Sequence, residues 1–157
     1  MRKLAVAALA ALCTTGAALA VTTPAHAADP ACTSTIRIAS MTWSPPQVTA
    51  GQGSTLTLVA QNCTSTSQQV SLFTYGRFLG AGQGIPPGCP VIDPLPPRQI
   101  TIAAGATYKA TSGYGTLATC TATRLQVTAQ LSIGGTTVAS GSADLAIVPV
   151  SPQPAAR

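Results

Sequence analysis

Arg124-Leu125-Gln126-Val127-Thr128-Ala129-Gln130-Leu131-Ser132-Ile133-Gly134-Gly135 is the stretch that decides the fold class. Leu125, Val127, Ala129, Leu131 and Ile133 alternate with Arg124, Gln126, Thr128 and Gln130. A period of two puts the first set on the buried face of a strand and the second on its solvent face. Gly134-Gly135 then supplies the two residues of positive φ that a tight primed hairpin turn requires. The return strand runs over about Thr136 to Val148, with Ala143, Leu145 and Ile147 inward and Gly141 at a bulge.

The rest of the chain repeats this grammar. Upstream, Thr35 to Thr42 reads as a strand with Ile36 and Ile38 on one face. Ser44-Pro45-Pro46 ends it, because proline cannot donate to a ladder, and Val48 starts a short second piece. After the Ala50-Gly51-Gln52-Gly53 turn, Ser54 to Asn62 carries Leu56, Leu58 and Ala60 inward and Thr55 and Thr57 outward. Gln69 to Tyr75, Ile100 to Ala103 and Ala106 to Ser112 are further strands, and Gly113 to Thr119 is a connection. No stretch beyond the N-terminal segment shows a capped 3.6-residue period. Seven or eight short half-buried strands in about 110 residues predict an all-β, immunoglobulin-like antiparallel sandwich.

Met1 to Ala27 has the layout of an export signal: Arg2 and Lys3, an apolar run from Leu4 to Leu12, and Ala25-His26-Ala27 before a cleavage point at Ala28. Thr14, Thr15 and Gly16 interrupt the apolar stretch, which argues against a membrane anchor. Leu12 before Cys13 is a poor match to a lipoprotein signal, so Cys13 is expected to leave with the signal. The expected organisation is a signal at 1–27, one sandwich domain at 28–150 and a polar tail at 151–157, in a freely secreted bacterial protein. No sorting motif or second apolar segment points to wall anchoring.

Composition then excludes function classes. Charged residues make up 7% of the chain; the acids are Asp29, Asp93 and Asp144, with no Glu, and the one His is His26. Export removes His26, so no His/carboxylate pair remains for acid–base work and no base remains to activate a Ser or Thr nucleophile. Lys109 has no Ser-x-x-Lys context. A non-enzymatic protein without cofactor is expected. The remaining bases, Arg37, Arg77, Arg98, Lys109, Arg124 and Arg157, stand singly and leave a net charge of +3. Without a clustered basic footprint, a nucleic-acid partner is not expected.

Four cysteines remain: Cys32, Cys63, Cys89 and Cys120. An even count in an exported chain reads as disulfides, and neither a C-x-x-C pair nor a His is present to build a metal site. Of three connectivities, the strand map favours Cys32–Cys63 and Cys89–Cys120. The start of the first strand lies beside the end of its antiparallel partner, and the two long connections bring the second pair together. Each bond closes a loop of roughly 30 residues, worth roughly 3 kcal/mol in the chain-entropy model. The rival Cys63–Cys120 bridge lacks the tryptophan that accompanies its antibody counterpart, because the single Trp, Trp43, lies upstream of both cysteines.

Pro46-Gln47-Val48-Thr49-Ala50-Gly51, Ser54-Thr55-Leu56-Thr57-Leu58 and Asn62-Cys63-Thr64 resemble the opening of bacterial immunoglobulin-like domains of the CARDB kind. Ile102-Ala103-Ala104-Gly105-Ala106-Thr107 resembles their mid-domain turn. The resemblance covers about Ile36 to Val148. It implies the sandwich and an extracellular adhesive or spacer role, and it carries no catalytic residue.

Gly76 to Gln99 stands apart, with five Gly and six Pro in 24 residues. Such a stretch is not expected in a central strand, although Phe78 and Leu79 can form a short edge strand before it. A long proline-stiffened loop on a rigid scaffold is the expected partner-binding surface, through Pro90, Val91, Ile92, Asp93 and Leu95. The expected partner is an extracellular protein or a cell-envelope component. The alternative is that these apolar residues fold back and cap the sandwich. Gly88-Cys89-Pro90-Val91-Ile92-Asp93-Pro94 is also similar to the reactive loop of the subtilisin-inhibitor family, which implies protease inhibition with Val91 entering the protease pocket. A third class is a small-ligand carrier, as in secreted chromoprotein apoproteins of similar size. A fourth is carbohydrate binding through Trp43, Phe73, Tyr75, Phe78, Tyr108 or Tyr114.

Overall fold

The computed structural model describes residues 32–82, 84–92, 94 and 96–150. The expected export signal, Asp29, the 151–157 tail and two of the proposed loop residues, Asp93 and Leu95, lie outside the described residues.

Eight strands follow in order: β1 (Ile36–Ser44), β2 (Gln47–Thr49), β3 (Gly53–Asn62), β4 (Gln68–Leu79), β5 (Arg98–Ile102), β6 (Thr107–Gly115), β7 (Arg124–Ile133) and β8 (Thr136–Val148). They form a three-stranded sheet, β1-β3-β6, and a five-stranded sheet, β2-β8-β7-β4-β5. Every pairing is antiparallel except that of β2 with β8. This is the immunoglobulin-like sandwich, and the described residues contain no helix. The Ser44–Pro45 peptide bond is cis, and the chain changes sheet there, from β1 to β2.

The alternating positions behave as their period requires. Leu56, Leu58 and Ala60 of β3, Leu125, Val127, Ala129 and Leu131 of β7, and Leu145 and Ile147 of β8 are all buried. In β1 the register against β3 shifts between Ile38 and Ser40, so the inward set passes from Ile36 and Ile38 to Met41 and Trp43. Both disulfides join the expected partners, Cys32–Cys63 with Cα atoms 5.4 Å apart and Cys89–Cys120 with Cα atoms 4.2 Å apart.

Three expectations are corrected. Phe78 and Leu79 are not a separate edge strand: with Gly76 and Arg77 they continue β4, which pairs along its whole second half with β7, from Phe73 opposite Gln130 to Leu79 opposite Arg124. The composition of the loop hid this, because a glycine weakens a strand only when nothing compensates for its missing side chain. Here the Ile92 Cδ1 atom lies 3.0 Å from where a Cβ on Gly76 would stand, so the loop itself fills the gap. Secondly, β6 runs to Gly115, because Ser54 and Gly53 of β3 continue to pair with Tyr114 and Gly115. Thirdly, the irregularity in β8 is at Val138, where the register shifts between Leu131 and Ser132 of β7, and not at Gly141. Gly141 is instead a point of close approach: a Cβ there would stand 3.2 Å from Ile38 Cδ1 and 3.3 Å from Met41 Sδ, both on β1 of the other sheet.

The two ends of the sandwich differ in chemistry. One end carries the Gly134-Gly135 hairpin, the Cys32–Cys63 bond and the 63–67 turn. Asn62 is the anchor of that turn. It is fully buried, donates through Nδ2 to the carbonyls of Thr66, Ile102 and Ala103, and accepts at Oδ1 from the Thr64 amide and hydroxyl. The other end gathers the close of β1, β4, β6 and β8, the start of β3 and β7, the loop after β4 and the 116–123 connection.

Candidate functional site

The loop that follows β4 is held to the 116–123 connection by more than its disulfide. The Thr121 amide donates to Pro87 O at 3.1 Å, the Thr123 amide to Leu79 O at 2.9 Å, and the Thr119 hydroxyl to Gly88 O at 3.2 Å. Gly88 has φ of +70°, and a Cβ there would lie 2.1 Å from Thr119 O. Only glycine fits both that backbone conformation and that approach. Pro86 is buried, so the first half of the loop packs down as it crosses the end of the sandwich.

The proposed loop residues divide at this point. Val91 is 70% exposed, and Ile85, on the other side of Cys89, is 65% exposed. Ile92 turns the opposite way and packs on the buried cluster of Phe78, Leu125 and Val127. Cys89 and Pro90 are half-buried. Ile85, Val91 and Ile92, with Gly76 and Phe78, line a small hollow of ≈ 120 Å³. Neighbouring residues of the loop thus point opposite ways: Ile92 packs on the core, and Val91 faces solvent.

The remaining exposed large hydrophobics are Leu117 (51%), Val148 (45%) and Val150 (54%). Leu117 lies on the connection that carries Cys120. Val148 pairs with Thr49, and Gly51, two residues on, approaches Ala118 to within 3.3 Å of its would-be Cβ. All five exposed large hydrophobics among the described residues thus sit at the same end of the sandwich.

A second concavity, whose lining residues no sequence pattern singled out, opens between the sheets. It has a volume of ≈ 430 Å³ and is bounded by β3, β4 and β6, with Pro96, Pro97 and Arg98 at its rim. Its walls are chiefly apolar, through Met41, Leu56, Leu58 and Leu72. Tyr114 crosses one side: its hydroxyl bonds to the Thr74 side chain, and burial pushes its phenol above the ordinary value near 10. Trp43 meets Tyr114 edge to face, with ring centroids 5.4 Å apart, and its buried indole N–H has no acceptor among the described residues. Arg98 at the rim donates from Nη2 to the Tyr108 hydroxyl, which links β5 of one sheet to β6 of the other.

The aromatics proposed for sugar binding are dispersed. Phe78 and Trp43 are buried, Tyr114 borders the cleft, and the Phe73 and Tyr75 rings lie 5.7 Å apart, tilted, on β4. Asp144 pairs with Arg124 at 3.2 Å on the surface. The described residues contain no group of three or more His, Cys, Asp or Glu side chains placed to hold a metal. No described helix is long and apolar enough to cross a membrane. The two disulfides fit an oxidising compartment.

No protein-family model matches the chain, and no curated protein matches its sequence. Among solved structures, the chain is similar to an alkylpurine DNA glycosylase from Pseudomonas fluorescens bound to DNA, with a TM-score of 0.51 at 13% identity. That match covers 73% of this chain and only 30% of the glycosylase, and it shows the fold alone. A CARDB domain from Pyrococcus furiosus superposes with a TM-score of 0.48 at 10% identity, covering 74% of this chain and 93% of that one. A Niemann-Pick type C2 protein from the Japanese carpenter ant gives a TM-score of 0.43 at 9% identity, covering 74% of this chain and 96% of that one. The immunoglobulin-like fold itself rests on the strand order and pairing described above.

Proposed function

We propose that this chain is an exported, non-catalytic binding domain that engages an extracellular protein or cell-envelope partner through its apolar end. The observation that supports this reading is the gathering of Ile85, Val91, Leu117, Val148 and Val150 at one end of the sandwich. Exposed apolar side chains gathered at one end of a domain point to an interaction surface, whereas scattered ones carry no such meaning. The loop that presents two of them is pinned by the Cys89–Cys120 bond and its flanking hydrogen bonds. Its ordering cost on binding is therefore small. The hollow beside Val91 gives a partner's side chain a place to anchor.

A second reading, protease inhibition, draws support from one feature. Val91 is exposed two residues after the disulfide-bonded Cys89 and directly after Pro90.

The test is capture from culture and cell-wall extracts with the wild-type protein and with Ile85→Ser/Val91→Ser, followed by affinity measurement on the purified partner. The double variant is expected to bind at least about tenfold more weakly, the equivalent of about 1.4 kcal/mol. Capture of a subtilisin-like protease, with inhibition lost on Val91→Ser, selects the second reading. Equal affinity for both proteins overturns the assignment of this end. N-terminal sequencing of the protein recovered from culture medium checks export, with Ala28 the expected first residue.

A further inference from the structure

The interior of the sandwich is filled from its two ends and is thin between them. Leu56 belongs to the buried cluster at the disulfide-linked loop end, whereas Leu58, two residues on, belongs to the other. Val127 and Ala129 divide in the same way. At the level where the clusters separate, three strands present small inward side chains: Thr74 on β4, Ala110 and Ser112 on β6, and Ala129 on β7. On β6 none of the inward positions, Tyr108, Ala110, Ser112 or Tyr114, is fully buried, although this strand covers the open side of the interior. The result is the ≈ 430 Å³ cleft, within the range of about 300–1,000 Å³ usual for small-molecule sites.

We propose that this cleft is a binding site for a small amphiphile, with an apolar body lying between the sheets and an anionic head group, a carboxylate, held at the rim by Arg98. The body is specified by the leucine and methionine walls. The head is specified by charge. Arg98 is the one lysine, arginine or acidic residue on the lining, and it has no carboxylate partner among the described residues. Its contacts are with Tyr108, whose hydroxyl accepts from Nη2 and whose ring centroid lies 6.0 Å from Cζ, which leaves further N–H donors of the guanidinium fork for a ligand. Such a fork matches a carboxylate in bidentate geometry and repels a cation. Pro96 and Pro97 fix the approach of Arg98 to the rim, so little is lost in ordering it.

This site is distinct from the apolar end, and the variants that test one leave the other intact. Trp43, the single tryptophan, contacts Tyr114 on the cleft wall and serves as an intrinsic fluorescence reporter. The probes are decanoate, decanol and decyltrimethylammonium, titrated into the full chain and checked by calorimetry. Decanoate is expected to bind at least about tenfold tighter than decanol, and the cation to bind weakest. Arg98→Gln should cut decanoate affinity about tenfold while leaving decanol affinity within about twofold, and Tyr108→Phe, which keeps the charge, should preserve the preference for decanoate. Ser112→Phe and Ala110→Leu each fill the cleft from the edge strand and should abolish binding of all three; the second covers the case in which the first fails to fold. Equal affinity for the three probes removes the head-group assignment. No binding to the wild type, or undiminished binding in a folded cleft-filling variant, overturns the site.

Discussion

Val91 and Ile92 are adjacent, similar in size and equally apolar, yet the fold gives them opposite roles, and paired substitutions measure the difference. Val91 is 70% exposed, so Val91→Ala removes little buried surface and is expected to change stability by no more than about 0.5 kcal/mol. Ile92 occupies the space left by Gly76, with its Cδ1 3.0 Å from the position of a Cβ there, beside Leu125 and Val127. Truncation of a fully buried isoleucine to alanine costs about 2–5 kcal/mol. Because Ile92 is half-buried, about half of that applies, roughly 1–2.5 kcal/mol. For a domain of this size the loss corresponds to a drop in Tm of roughly 4–9 °C. The Cys89–Cys120 bond keeps the loop tethered in both variants, so the difference reports packing rather than release of the loop. Differential scanning calorimetry on oxidised protein is the assay. Equal Tm values for the two variants, or a larger loss for Val91→Ala, would refute the reasoning that only Ile92 belongs to the core.

Gly88→Ala should destabilise the loop end by more than about 2 kcal/mol, since the residue needs positive φ and its new Cβ meets Thr119 O at 2.1 Å; amide exchange should show early loss of protection at Thr121. Asn62→Ala should lower the urea midpoint by an amount equal to about 2–4 kcal/mol, because three backbone carbonyls and the Thr64 amide lose their partner at a fully buried position. Burial raises the Tyr114 phenol above its ordinary value near 10, so the stability it contributes is complete below that pH and falls as pH rises through the folded value. Alkaline unfolding of Tyr114→Phe should show a shallower loss of stability above pH about 10 than the wild type does, and identical profiles would contradict this. All four cysteines of the two bonds should be unreactive in denatured, unreduced protein, as read by thiol titration.

Much of the architecture follows from local pattern. Leu125 to Leu131 and Leu56 to Ala60 each bury one face at a period of two, and that alternation needs no distant contact to be read. The disulfide pairing followed from strand order, because an antiparallel β1–β3 pair has only one way to place Cys32 near Cys63. The glycine and proline content between β4 and β5 marked a long loop on the same local grounds, and the loop does carry two of the exposed apolar residues.

What the sequence could not contain is the relation between segments far apart in the chain. Gly76 reads as a strand breaker until Ile92, brought back across the end of the sandwich, fills the space above it. Gly141 reads as a bulge until β1 of the opposite sheet presses against it. The opposite orientations of Val91 and Ile92 depend on how the loop is pinned to the 116–123 connection, which no periodicity encodes. The cleft is the clearest case. Thr74, Ala110, Ser112 and Ala129 are small residues on three strands, and only the packing of the two sheets sets them at one level. The sequence by itself determined which faces are buried, because side-chain alternation is a local property of the extended backbone. The tertiary structure alone decided where the buried faces fail to meet, because a void is a property of several strands at once.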